Sequence, residues 1–441
     1  MRGARQGHPL GAAMLGMFLD GFDLSIIAVA LLPLTLQWHL QDSQSGQLMA
    51  MVLLGSFVGA LLGGVFIDRH GRRRLLIPNV LLYGLGALWS ALSPDLLALE
   101  WGRFLTGLAV GLDYPLVATI VAEYSAAAVR GKGFAWINLA WFGGAIASSL
   151  LGWGMLAVLG TDSWRWMLGS ALLPTLLLGW LRKDLPESPR WLWRQGKRAQ
   201  ADQALQELHP ALTATARSQI LEGFTGVRIP GTALLLRPWR RRLLLALLPW
   251  FLLDMVSLGI ALYLPLVLRS QGWVENDGQA ALVNGALLVL SALGILWALP
   301  RLDRLGRLPL QLWGFAGMAL GLFLFALGAD WQSLLAVYVG AAVYAIALGV
   351  GPAVTIIALA VELFPTPLRA TVGGLATAIS RLGAVVSALL FPILDRSFGL
   401  VLVLCLAAAL ALIAGGISWR FGVEARGREL EDLESLPGSG G

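Results

Sequence analysis

The chain has 441 residues, of which 57% are hydrophobic and 13% charged, and its mean hydropathy is +0.73. Soluble domains carry about a quarter charged residues, so this composition excludes an ordinary soluble protein. The net charge of +6 and isoelectric point of 9.9 do not indicate a nucleic-acid binder, because the basic residues fall in the gaps between apolar runs, the distribution of a chain that crosses a membrane repeatedly.

A spanning helix needs about 20 mostly apolar residues. In chain order, twelve such spans are predicted near 10–36, 46–67, 74–93, 96–125, 129–158, 163–182, 241–269, 277–300, 308–328, 331–362, 368–394 and 397–421. The first run is too long for the apolar part of a cleavable signal peptide and is expected to stay as a helix. The reading is an all-α membrane protein of two six-helix bundles, 1–182 and 241–424. A hydrophilic loop, 183–240, joins them, and a tail, 425–441, follows. Within the loop, "RAQADQALQEL" predicts a short amphipathic surface helix.

Lys and Arg counts in the loops set an orientation. "DRHGRRR" (68–74), "RGK" (130–132), the central loop, "RLDRLGR" (301–307) and "RFGVEARGR" (420–428) fall on one side, while "QWHLQDSQSGQ" (37–47) on the other has no Lys or Arg. Both termini and the central loop are therefore expected in the cytoplasm, and the protein in a bacterial inner membrane.

Cys405 stands alone, so no intrachain disulfide is possible, and four scattered histidines make no metal site. No metal or cofactor is expected. No nucleophile–base set, phosphate-cradling loop or nucleotide motif is present, which argues against an enzyme and against ATP coupling. The expected partners are the lipid bilayer, a small-molecule substrate and protons. Nucleic acid is not among them, and a monomer is expected.

The two halves repeat. "DRHGRR" at 68 matches "DRLGRL" at 303, Glu123 with Arg130 matches Glu362 with Arg369, and Asp20 matches Asp254, at offsets between 234 and 239 residues. A constant offset through loops and spans alike means two units related by an axis along the membrane normal.

With these motifs in order, the chain resembles the major facilitator superfamily along essentially its whole length. "PESPRWL" (186–192) resembles the signature of the branch holding sugar porters, organic-ion carriers and phosphate:proton symporters. The resemblance implies alternating access about a central site. It gives Asp68, Gly71, Arg72, Glu123 and Arg130, with their counterparts Asp303, Gly306, Arg307, Glu362 and Arg369, to the inner gate and its structural support.

A charge at mid-bilayer costs roughly 2.5–3.5 kcal/mol on insertion scales, so those inside spans need a reason. Asp20 and Asp23 share a helix face in "FLDGFDLS". They fit either a structural ion pair or proton binding. "GFD" is similar to the first-span motif of sugar:proton symporters, which implies proton coupling at Asp23 with Arg103 of "GRFLTG". "GLDYPLVATIVAEY" (111–124) is similar to the fourth-span signature of phosphate:proton symporters, and "WFLLD" (250–254) to their seventh-span motif. That similarity implies substrate or proton roles for Asp20 or Asp23, Arg103, Asp113, Tyr114, Trp250 and Asp254. Pro115 is expected to weaken or kink its helix, and Gly107 with Gly111 to allow a close helix approach.

The departures shape the substrate expectation. Trp141 stands where that family has a glutamine, Arg381 where it has a lysine, and Leu258 where it has a tyrosine. Trp141 adds a flat apolar surface, and a guanidinium binds carboxylate in a two-pronged fork. The expectation is therefore a proton symporter for a small organic anion, bound by Arg381 and packed by Trp141 and Trp250, with Asp113 or Asp254 bonding a hydroxyl or a proton. The sugar porters' paired seventh-span glutamines are absent, which argues against a hexose. Inorganic phosphate, a sugar or polyol, a drug, or a sensor that binds without transporting are the alternatives.

Overall fold

The structure is a computed structural model that describes residues 8–124, 130–224, 237–275, 277–364 and 368–424. The expected tail, 425–441, lies outside the described residues. Those described are almost wholly helical, an arrangement that satisfies the backbone groups of each span within the span itself, where lipid offers no water.

The first half begins with α1 (His8–Trp38), α2 (Asp42–His70), α3 (Arg73–Leu92), α4 (Leu96–Tyr124) and α5 (Arg130–Leu159). The sixth span, read from the sequence as one helix, is two: α6 (Ser163–Gly169) and α7 (Leu172–Arg182). The central loop carries α8 (Pro189–Arg194), α9 (Arg198–Leu208) and α10 (Ala214–Glu222), and α9 coincides with the amphipathic segment. Its buried face, Ala201, Ala204 and Leu205, packs with Leu192 and Leu221 into a small core of its own.

The second half holds α11 (Arg237–Ser270), α12 (Asp277–Ala298), the short α13 (Leu302–Leu305), α14 (Arg307–Asp330), α15 (Leu334–Val350), α16 (Pro352–Glu362), α17 (Arg369–Phe398) and α18 (Leu400–Phe421). The predicted tenth span is thus α15 plus α16. It breaks at Gly351, because Pro352 starts a new helix where its missing N–H is harmless. Pro115 does not break α4, which runs continuously past it; the Thr119 hydroxyl donates back to the Pro115 carbonyl at 2.8 Å. With α15 and α16 counted as one, ten described helical stretches are long and apolar enough to cross a membrane, and the broken sixth span and α12 bring the spans to twelve.

Glycines set the contact between α2 and α4. A Cβ on Gly107 or Gly111 of α4 would collide with the α2 carbonyls of Val52 or Ser56, and one on Gly55 or Gly59 of α2 with those of Phe104 or Leu108. The two helices therefore pack backbone to backbone, a dispersion-driven contact suited to lipid. Between the halves, α2 packs on α17 and α5 on α12. These pairs are equivalent under the internal repeat.

Candidate transport site between the halves

Four buried carboxylates, Asp20, Asp23, Asp113 and Asp254, and two buried arginines, Arg103 and Arg381, lie within the helices, and a third buried arginine, Arg182, ends α7. Taking a charge out of water without a partner costs several kcal/mol, so the pairing pattern is informative.

Asp254 of α11 meets Arg381 of α17: Nη1 donates to Oδ2 at 2.9 Å, while Arg381 Nε has no hydrogen-bond partner. The guanidinium also lies over the Tyr114 ring, 4.8 Å from its centroid. Tyr114 in turn faces Trp250 with ring centroids 6.2 Å apart. Arg381, Asp254, Trp250 and Tyr114 thus form one group, and Tyr114 brings the first half's α4 into it.

Asp23 and Arg103 are looser. Arg103 Nη2 donates to the backbone carbonyl of Asp23 at 2.8 Å, but its Nη1 stands 4.0 Å from Asp23 Oδ1. Neither carboxylate oxygen of Asp23 makes a hydrogen bond. Arg103 is thus anchored beside a carboxylate that it does not grip.

Asp113 is tightly held. Arg182 Nη1 lies 2.6 Å from Oδ1, Nη2 donates to Oδ2 at 2.9 Å, and Asn79 Nδ2 donates to Oδ1 at 2.7 Å. Both oxygens of Asp113 are thus engaged by side chains of the first bundle. Asp20, one α1 turn from Asp23, accepts from the Tyr83 hydroxyl on Oδ1, and its Oδ2 has no partner.

Trp141 is half-buried. It packs against the cluster that contains Phe142 of α5 together with Ile295, Leu310 and Val354 of the second half. Its buried indole N–H has no partner. Leu258 lies among Leu24, Val52 and Ala384, in an apolar contact between the halves.

The arginine-rich face is tied shut. Glu123 accepts from Arg72 at 2.8 Å in its own half and from Arg369 at 3.4 Å across the interface, with the Ser188 hydroxyl as a further donor. Asp68 accepts from the Ala370 and Thr371 amides at 3.3 and 2.7 Å, where the N-terminus of α17 favours a negative charge. Its counterpart Asp303 accepts from the Gly131 amide at 3.2 Å, at the start of α5. Arg307 pairs with Glu362 and Asp303, each at 3.1 Å. Burial notwithstanding, the acidic neighbours Glu123 and Glu187 keep Arg72 firmly protonated. The Arg130 side chain lies outside the described residues.

Sequence reasoning missed three residues here. Glu187 of "PESPR" accepts from the Arg72 and Arg73 amides at 3.1 and 3.0 Å, capping α3. Glu424 does the same for α14, accepting from Arg307 and Leu308 at 3.0 and 2.9 Å. A side chain at Gly71 or Gly306, both at positive φ, would displace these carboxylates. The third is Arg182, which lies among the basic residues flanking the loop. The "PES" motif could have pointed to Glu187; nothing local marks the other two.

Residues 10–436 match the family model described as "Sugar (and other) transporter". The chain belongs to that family, a branch of the major facilitator superfamily. The transporter is 31% identical to the putative metabolite transport protein YaaU of Escherichia coli strain K12, over 96% of this chain and 93% of that protein. It is 26% identical to the arabinose-proton symporter of Bacillus subtilis strain 168, over 96% and 93% respectively. The solved proton:xylose symporter XylE, bound to 6-bromo-6-deoxy-D-glucose, superposes with a TM-score of 0.88 at 24% identity, covering 98% of this transporter and 99% of that chain. The transporter is an integral membrane protein of this fold and not an enzyme.

Proposed function

We propose that this transporter is a proton symporter for a small polyhydroxylated metabolite of the sugar class, working in the bacterial inner membrane. The arginine-rich face, the central loop and both termini then lie in the cytoplasm, and the described state is closed on that side by Glu123, Asp68 and Asp303. The observation that carries the proton reading is Asp23: a buried carboxylate without a hydrogen bond, 4.0 Å from a guanidinium fixed to its own backbone. A proton and the Arg103 guanidinium are alternative partners for that carboxylate. A small change in their separation, as the halves rock, shifts the balance between loading and unloading.

The substrate reading rests on the family and on the named activities of two relatives, a proton:xylose and an arabinose-proton symporter. Aromatic faces at Tyr114, Trp250 and Trp141 suit a sugar ring, and the unpartnered Trp141 N–H suits a hydroxyl. A carboxylate-bearing substrate is the second reading. Arg381 favours it through its unpartnered Nε, while Asp254 already neutralises that guanidinium and weakens the case.

Stabilisation of purified protein by D-xylose, D-glucose, D-gluconate and inorganic phosphate separates the readings. The sugars are expected to raise the melting temperature most. Stabilisation by gluconate or phosphate alone would overturn the sugar assignment.

A further inference from the structure

The apolar contact around Leu258 stands in register with the transport site. Leu258 of α11 is one helical turn beyond Asp254, Val385 of α17 one turn beyond Arg381, and Leu24 of α1 one turn beyond Asp20, each on the same helix face as the charged residue. These three helices all start on the arginine-rich side, so the apolar layer lies on the far side of the charged groups. Val52 and Leu53 of α2 and Ala384 of α17 complete it. Leu24, Leu258 and Val385 are half-buried, while Asp20, Asp254 and Arg381 beneath them are buried. Exposed surface along these faces therefore ends at the apolar layer.

The walls of the layer are stiff. A Cβ on Gly383 of α17 would collide with the Phe251 carbonyl of α11, and one on Gly259 of α11 with the Ser387 side chain of α17, so these two helices are locked together at this height. In the other half, Gly55 of α2 lies equally close to the Phe104 carbonyl of α4. The seam between the walls changes along its length. Near the arginine-rich face α2 and α17 meet backbone to backbone: a Cβ on Gly64 would collide with the Ala370 carbonyl, and one on Gly374 with the Ala60 carbonyl. Farther out, the side chains of Val52, Leu53 and Ala384 fill the space between them. The two helices thus splay away from the arginine-rich face, and dispersion between side chains holds their outer part together.

We propose that the layer of Leu24 and Leu258 is the outer gate of the transport site: an apolar seal, closed in the described state, that parts to admit substrate from the side opposite the arginine-rich face. A narrow apolar constriction excludes water, so this seal works without charges, whereas the opposite face is tied by carboxylates. The described state is then closed at both ends. The inference rests on alternating access and not on the proton or sugar assignment.

A thiol beneath the seal tests it without a substrate. Ser380→Cys, in a Cys405→Ala background, places one at a buried position one turn inward of Ala384. In detergent-purified protein a small hydrophilic methanethiosulfonate reaches both faces, so the result does not depend on orientation. The parent should label slowly. Leu258→Ser and Leu24→Ser each remove part of the seal and make the rest wettable, so labelling should become about tenfold faster or more. Leu258→Met keeps the apolar volume and should stay near the parent. A second reporter, Ala370→Cys on the arginine-rich face, should not label faster in either serine variant, which separates an opened outer gate from a loosened fold. Fast labelling of Ser380→Cys in the parent, an unmoved rate in Leu258→Ser, or equal acceleration at Ala370→Cys would overturn the proposal. If Leu258→Ser does not fold, Leu24→Ser decides by the same criteria. Loss of gradient-driven uptake with these rates as expected would strike the symport reading and leave the gate standing.

Discussion

Arg369 of the second half reaches Glu123 of the first at 3.4 Å, and both side chains are buried where they meet. Glu123 also holds Arg72 at 2.8 Å, so one carboxylate joins two guanidiniums across the boundary between halves that the proposed cycle moves apart. Glu123→Gln leaves those cations close together without their counter-charge. Losing a hydrogen bond to a charged group costs about 1.5–3 kcal/mol, enough to favour opening of that face roughly tenfold or more. A cysteine at Ala370, buried against Gly64 in the closed interface, reads this in a Cys405→Ala background. Its thiol labelling should be slow in the parent and accelerate in Glu123→Gln. Equal rates would mean that this contact is no latch.

Arg381 gives a second prediction. Arg381→Ala removes the guanidinium that lies over Tyr114 and leaves Asp254 without its partner. Substrate affinity should fall about ten- to a hundredfold, measured by titration of the best stabilising ligand. Arg381→Lys should recover part of the loss, because charge returns without the planar two-pronged geometry. Wild-type affinity in Arg381→Ala would make the arginine purely structural.

The two capping carboxylates make a paired prediction. Glu187 and Glu424 each satisfy two helix N-terminal amides, at positions related by the internal repeat. A negative charge at such a terminus is worth up to about 2 kcal/mol when partly buried. Glu187→Gln and Glu424→Gln should each lower the melting temperature of detergent-purified protein, and by similar amounts. A loss in one alone would show that the repeat is not matched in energy.

Orientation is tested by labelling. A cysteine at Gln44, again in the Cys405→Ala background, should react with an impermeant thiol reagent added to intact cells, while one at Arg198 should not. Labelling of the central loop from outside would reverse the proposed topology.

The spans, the repeat and the short motifs were legible because lipid imposes them: long apolar runs, basic loops and a constant offset survive in one dimension. The nearness of Arg103 to Asp23 came through the resemblance, but which arginine meets Asp113 or Asp254 was not legible. Arg182 sits beside Lys183 at the edge of a basic loop, where hydropathy reads it as solvated, yet its side chain turns inward to Asp113. Asp113 in consequence was expected at the substrate, and its two oxygens are engaged within the first bundle. The break after Gly169 was unmarked, since it lies inside an apolar run, while the one at Gly351 was marked by Gly351-Pro352 but hidden by the length of the apolar run around it. The close approach of α4 to α2 was legible in Gly107 and Gly111, whereas the continuity of α4 through Pro115 was not.

The central claim, transport driven by protons through the first span, is tested most directly by uptake into proteoliposomes with an imposed pH gradient, using labelled D-xylose. The wild type should accumulate sugar above its external concentration and lose that accumulation when the gradient is collapsed. Asp23→Asn, fixed in a neutral form, should still exchange labelled for unlabelled sugar but should not accumulate it. Accumulation by the wild type that ignores the gradient, or accumulation that survives in Asp23→Asn, would contradict the account.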